Sequence, residues 1–189
     1  MLKNHKMINK EISDIIRSRQ SVYPNEFNGK TIKEDVIIEL LENANYAPTH
    51  KMTQPWIFKI FCSDSKNKLL EEIIQNREFT KDKKKKLQEK FNKSSHIICI
   101  CMKKNKHLLP EWEEIAATAM AVQNLWISCV GSNIGGYWST PKYINRLSEF
   151  LSLHEDEICL GFFYLGLYES KNIRNIKRKK ISEKTQWFR

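Results

Sequence analysis

Tyr46 to Cys62 reads YAPTHKMTQPWIFKIFC, and the fold follows outward from it. Pro48 stops a helix, because proline disfavours helical geometry in the residue before it. THKMTQ is a polar loop dense in side-chain donors, and Pro55 leads from it into WIFKIFC. Apolar and aromatic residues dominate that last run, so it reads as a core strand. Binding groups collect on loops held by rigid elements, which makes His50 a candidate ligand contact. The plain alternative is a histidine that only hydrogen-bonds within the structure.

Upstream, Thr31 reads as an N-cap with Glu34 as its capping-box partner. The helix it opens sends Val36, Ile37, Leu40, Leu41 and Ala44 inward. Residues 23–30 contain Pro, Asn and Gly and form a loop. Before it, Ile8, Ile12, Ile15 and Ile16 recur at helical spacing, giving an amphipathic helix from about Lys6 to Arg19. Downstream, Ser65 to about Gln75 is helical, and Asp82 to Asn92 is a charged, exposed helix. HIICICM is a second core strand, with Cys99 and Cys101 on the same face. Glu111 to Ser128 is the longest helix, with Ile115, Ala119, Val122, Leu125 and Trp126 at helical spacing. GSNIGG breaks it, YWS follows as a short strand or loop, and Thr140 and Pro141 open another helix through Phe150. ICLGFFYLGLY is a third core strand, and the basic tail ends in Trp187 and Phe188. No internal repeat or linker divides residues 1–189, so the pattern predicts a single α+β or α/β domain.

Composition narrows the function classes. With 189 residues, 41% hydrophobic and 11% aromatic, the chain is of globular type and long enough to bury a core. No stretch approaches the roughly 18 apolar residues of a membrane span. The first ten residues lack the apolar region of a secretory signal, so a cytoplasmic location is expected. The five cysteines are odd in number and sit in apolar runs, which points to buried free thiols. The Cys99–Cys101 spacing is too tight for a metal knuckle, and no metal site is expected. Much of the formal charge of +10 lies in two runs, KDKKKK (Lys81 to Lys86) and NIRNIKRKK (Asn172 to Lys180). Such runs are either an electrostatic footprint for nucleic acid or ordinary solvated surface; no RNP-type or helix-turn-helix motif accompanies them.

Two further constellations carry possible chemistry. In Ser18-Arg19-Gln20-Ser21, a guanidinium and a hydroxyl two residues apart can clamp a phosphate; the alternative is a solvated helix end. In Gly135-Gly136-Tyr137-Trp138-Ser139-Thr140, paired glycines allow close backbone approach to a neighbour or ligand; the alternative is a helix C-cap and tight turn.

Together RSRQSVY, ANYAPTHKMTQPWIFKIF, the long helix after EWEE, GGYWST and FFYLGLY resemble, in content and order, the nitroreductase family of FMN-dependent oxidoreductases. The likeness is closest to its short NAD(P)H nitroreductase subgroup and covers nearly the whole chain. It implies an α+β fold: a three-layer α-β-α sandwich whose central sheet is mostly antiparallel and flanked by helices. It implies an intertwined homodimer with FMN at the interface, taking hydride from NAD(P)H and passing it to a nitroaromatic, quinone or similar acceptor in ping-pong order. No residue is needed as a catalytic nucleophile or acid, because the flavin carries the chemistry. By the resemblance, Arg19, Gln20 and Ser21 hold the FMN phosphate and ribityl end, and Tyr46 and His50 contact the flavin. Trp138, Ser139 and Thr140 supply a further FMN segment, often from the other subunit, and Ser128 stands where a nicotinamide nucleotide is met. Two positions depart from the family. Tyr23 stands where a basic residue is common, and Ser139 where the subgroup often has arginine. Lys51, His50 or a tail residue such as Arg174 is a candidate to supply the missing positive charge. The alternatives are a family relative using flavin for enone or flavin reduction or dehalogenation, and a basic nucleic-acid-binding protein.

Overall fold

The computed structural model describes residues 8–75, 79–169, 174 and 176–189. The start of the first helix at Lys6, and Asn172, Ile173 and Asn175 of the basic tail run, lie outside the described residues. The strands are β1 (Trp56–Cys62), β2 (His96–Lys103), β3 (Ile134–Ser139) and β4 (Glu157–Leu167). They form one sheet in the order β1-β2-β4-β3, and every neighbouring pair is antiparallel. The central pair is drawn from the two most continuously apolar runs of the chain, because a middle strand is covered on both faces. Alternation along each strand then divides the core in two. Ile98, Ile100, Phe163 and Leu165 face one side. Ile97, Cys99, Cys101, Phe162 and Tyr164 face the other, so Cys99 and Cys101 do share a face.

The first side is covered by α2 (Glu34–Asn45) and α5 (Glu111–Ser128), the second by α3 (Ser63–Ile74) and α4 (Lys81–Lys93). These three layers make the expected α+β sandwich. Among the described residues, no helix is long and apolar enough to cross a membrane. All five cysteines are free, but Cys62 is only partly buried.

Several expectations change. WIFKIFC is a core strand, with Trp56 buried and Ile57, Phe58 and Phe61 packed on the two clusters, but β1 lies at the edge of the sheet and Ile60 is exposed. Thr31 is not an N-cap. The helix starts at Glu34 with Lys33 as its cap and no side-chain cap bond. The burial of Ile32, whose N–H donates to Ser95 Oγ at 2.7 Å, fixes the chain just before the helix and carries Thr31 past the capping position. Thr140 and Pro141 open no long helix; a 3-10 turn at Ile144–Leu147 buries Ile144 and Leu147 instead. The charged helix α4 is not wholly exposed, because Leu87 and Phe91 enter the core. On α5 the inward stripe is Ala117, Thr118, Ala121, Val122 and Leu125, while Ile115 faces outward with Trp112 and Met120.

The first helix, α1 (Lys10–Ser18), is the expected amphipathic helix. Asn9 caps it by accepting from the Glu11 and Ile12 N–H groups. Its isoleucines keep their predicted spacing, yet Ile8, Ile12, Ile15 and Ile16 are all exposed and the helix buries nothing. The periodicity is correct, but among the described residues the helix contributes nothing to either core cluster.

Gly135 and Gly136 lie inside β3 rather than in a turn. A Cβ at Gly136 would fall 2.5 Å from Phe163 Cζ, and one at Gly135 would fall 2.6 Å from Val22 Cβ. Phe163 is fully enclosed and cannot swing away. Gly136→Ala is therefore expected to destabilise the fold by about 1–3 kcal/mol, the range for overpacking a filled core. Thermal unfolding measures this, and an unchanged melting temperature would contradict the close approach.

Candidate functional site

Where α1 ends, Arg19 leaves helical geometry while its N–H still bonds the Ile15 carbonyl. The chain then runs beside the sheet, and the Val22 N–H donates to the Gly136 carbonyl at 3.0 Å. The glycines of β3 make this approach possible, since neither presents a Cβ to Val22 or Phe163. The end of α5 and the turn after it close the other side. The result is a cavity of about 640 Å³ whose lining includes Arg19, Gln20, Trp126, Ser132, Gly135 and Gly136. That volume is within the range of small-molecule and cofactor sites.

Arg19 dominates the electrostatics. Its guanidinium carbon lies 4.5 Å from the centroid of the Trp126 ring. Arg19 Nη1 and Trp126 Nε1 are buried without an acceptor. Burial, and secondarily the positive charge of Arg178, push the Arg19 pKa below its ordinary value. Arg17, Arg19, Gln20, Arg174 and Arg178 line an adjoining cavity of about 330 Å³. Arg174 is engaged: its backbone N–H donates to Gln20 Oε1 at 2.9 Å and its Nη1 to the Ser21 carbonyl at 2.9 Å. It also pairs with Glu26, and its guanidinium stacks 4.7 Å above the Tyr23 ring. Among the described residues, neither Arg19 nor Arg178 has such a carboxylate. Arg17 likewise has no ion pair among the described residues, while Glu169 is the one carboxylate in the lining of the larger cavity. The arginines and the two unpaired buried donors favour an anion rich in acceptor oxygens.

The other sequence-predicted residues are placed elsewhere. Ser21 lines a third cavity of about 550 Å³ that adjoins Arg19 and Trp126. Tyr46, at the end of α2, is 83% exposed and lines none of these three cavities. His50 is also outside them, with its Nδ1 2.6 Å from Glu113 Oε2 and its side chain 58% exposed. Their loop has three non-glycine residues with left-handed φ: Lys51 (51°), Met52 (55°) and Gln54 (44°). The buried Glu114 secures it, accepting from Thr53 Oγ1 and from the Asn105 amide at 2.8 Å each. A loop in so unfavourable a conformation needs such ties.

Trp138 is on β3, beyond Gly136, and its indole N–H is buried without an acceptor. Ser139 is half-buried and Thr140 exposed. Within one chain β3 meets Val22 through Gly135 and Gly136, while Trp138, Ser139 and Thr140, like Tyr46 and His50, line none of these three cavities. Ser128 donates its hydroxyl to the Asn124 carbonyl at 2.9 Å on its own helix. Sequence reasoning missed Trp126 and Arg178 as site residues. The helical spacing of Trp126 marks it only as a core-facing residue, and Arg178 is one basic residue in a run of several, with no local mark to separate it from its neighbours.

The fold and this cavity define an α+β sandwich with an arginine-bearing, tryptophan-backed pocket. The chain belongs to the nitroreductase family, whose model matches residues 16–167. It is 25% identical over 163 residues to the "Putative NAD(P)H nitroreductase YfhC" of Bacillus subtilis (strain 168), covering 82% of this chain and 83% of that one. The nitroreductase-like family protein from Bacillus cereus shares the fold at TM-score 0.83 and 24% identity, covering 97% of this chain and 99% of that one. A Desulfovibrio desulfuricans protein solved in complex with FMN aligns at TM-score 0.73 and 17% identity, over 96% of this chain and 99% of that one.

Proposed function

We propose that this protein binds FMN in the Arg19 cavity and works as an NAD(P)H-dependent oxidoreductase on a small nitroaromatic, quinone or similar acceptor. The observation that carries the reading is the Arg19 guanidinium, half-buried on Trp126 without a carboxylate and sharing its cavities with Arg178. A phosphomonoester supplies what both cations lack. Names and contents of relatives agree: one is named for NAD(P)H and another is a complex with FMN.

The residues present fit the cofactor. Arg19 and Arg178 would hold the phosphate and Gln20 and Ser21 the ribityl end, with Trp138, Ser139 and Thr140 the further contacts that the family resemblance implies. Bound there, FMN would supply the two-electron redox chemistry between NAD(P)H and the acceptor. The chain's own part is to bind, orient and tune. Arg174 brings a guanidinium to Tyr23, the position where the resemblance calls for a basic residue, but shares its charge with Glu26. Tyr46 and His50 reach a flavin only from a second copy of the chain, so the active unit is a homodimer. Ser128 remains the candidate nicotinamide contact, with its oxygen free to accept.

An absorption spectrum of the purified protein tests the reading. Bands in the near-ultraviolet and blue that persist through gel filtration, and bleach on addition of NADH or NADPH, are the expected result. A colourless protein that takes up no added FMN would refute it. The basic helix α4 is expected to bind polyanions weakly, with an affinity that falls steeply with salt and shows no sequence preference. Tight, sequence-selective binding of a nucleic acid near physiological salt would favour the nucleic-acid reading instead.

A further inference from the structure

We propose that Trp126 is the positioning residue that makes this site select a phosphorylated flavin, by carrying the Arg19 guanidinium on its ring face. The proposal rests on the reading of the cavity as an FMN site.

Two arginines of the site stack on aromatic rings, and they differ in what else they touch. Arg174 lies over Tyr23 and is also paired with Glu26, so its charge is spent within the protein. Arg19 lies over Trp126 and has no carboxylate among the described residues. A π face attracts a cation without neutralising it, so Arg19 is held in place with its charge available. Burial and Arg178 both oppose that charge, and without the ring the flexible side chain would swing toward solvent. The ring is itself fixed. Its edge contact with Phe163 has centroids 5.2 Å apart at 83°, and Phe163 is enclosed beneath Gly136. A continuous stack thus runs from Gly136 through Phe163 and Trp126 to the Arg19 guanidinium.

Riboflavin has the isoalloxazine ring and ribityl chain of FMN but no phosphate. The ratio of the riboflavin to the FMN dissociation constant therefore isolates what the protein gains from the phosphate. Trp126→Leu is expected to reduce that ratio about tenfold, toward the value of Arg19→Ala. Trp126→Phe, which keeps a ring under the cation, should retain most of it. The double variant Arg19→Ala/Trp126→Leu should show no further loss in the ratio, because the tryptophan acts through the arginine. A merely structural role would weaken both flavins alike, leaving the ratio unchanged in Trp126→Leu, and that result would overturn the assignment alone. A parent protein that binds neither flavin would overturn the cofactor reading, and this assignment with it.

Discussion

Replacing Arg19 by alanine should weaken FMN binding by about 1.5–3 kcal/mol, the range for hydrogen bonds to charged groups. This corresponds to roughly a ten- to hundredfold higher dissociation constant. The expectation follows from the state of the guanidinium before any ligand arrives. It has been partly withdrawn from water, it lies near a second cation, and one of its nitrogens is buried with no acceptor. Those unfavourable terms are present in the empty site and are relieved by a dianion, so the gain on binding is larger than for an exposed arginine already paired with a carboxylate. Ser21→Ala should have a smaller effect, since only a neutral hydroxyl is lost. Fluorescence titration of the apoprotein with FMN measures both. If both variants keep flavin as the parent does through dialysis and gel filtration, the phosphate is held elsewhere.

The second large effect concerns assembly. The protein should sediment as a dimer at micromolar concentration, and exchanging the apolar face of α1 for charge should convert it to monomers with poor flavin retention. Ile12 is 55% exposed, and Ile8, Ile15 and Ile16 lie open beside it on a helix that buries nothing. Outward-facing Trp112, Ile115 and Met120 on α5 add to the apolar surface. Burying an isoleucine is worth on the order of 1.5–3 kcal/mol, so Ile12→Glu with Ile16→Glu removes several kcal/mol from any interface they form. The tail is a second exposed apolar element among the described residues: Trp187 and Phe188 are 76% and 86% exposed. Deleting Lys184 to Arg189 should lower both dimer stability and flavin retention, because binding and assembly are linked. A flavin-saturated monomer would defeat the shared site, and a stable dimer of the Ile12/Ile16 variant would show that α1 is not part of it.

The site itself was partly legible. RSRQS marked the arginine that now dominates the cavity, because a cation followed by small polar donors at a helix end is a local pattern. GGYWS marked the strand laid against it, because adjacent glycines signal close approach. Trp126 and Arg178 were not marked as site residues, since their roles depend on Arg19, far away in sequence and brought close only by the fold.

By itself the sequence determined the kinds of element and their order. Periodicity, helix stops and apolar runs are properties of neighbouring residues, and they located α5, β2 and β4, but they also suggested a helix after Thr140 where only a 3-10 turn forms. Only the tertiary structure decided what each element faces. WIFKIFC has the composition of a central strand but lies at the edge, because order in a sheet is set by long-range pairing. Thr31 precedes Glu34 as a capping residue should, yet burial of Ile32 against Ser95 moves the helix start past it. The isoleucines of α1 repeat as core residues do, and the fold turns them to solvent, because spacing along a helix fixes which residues share a face and not what that face meets.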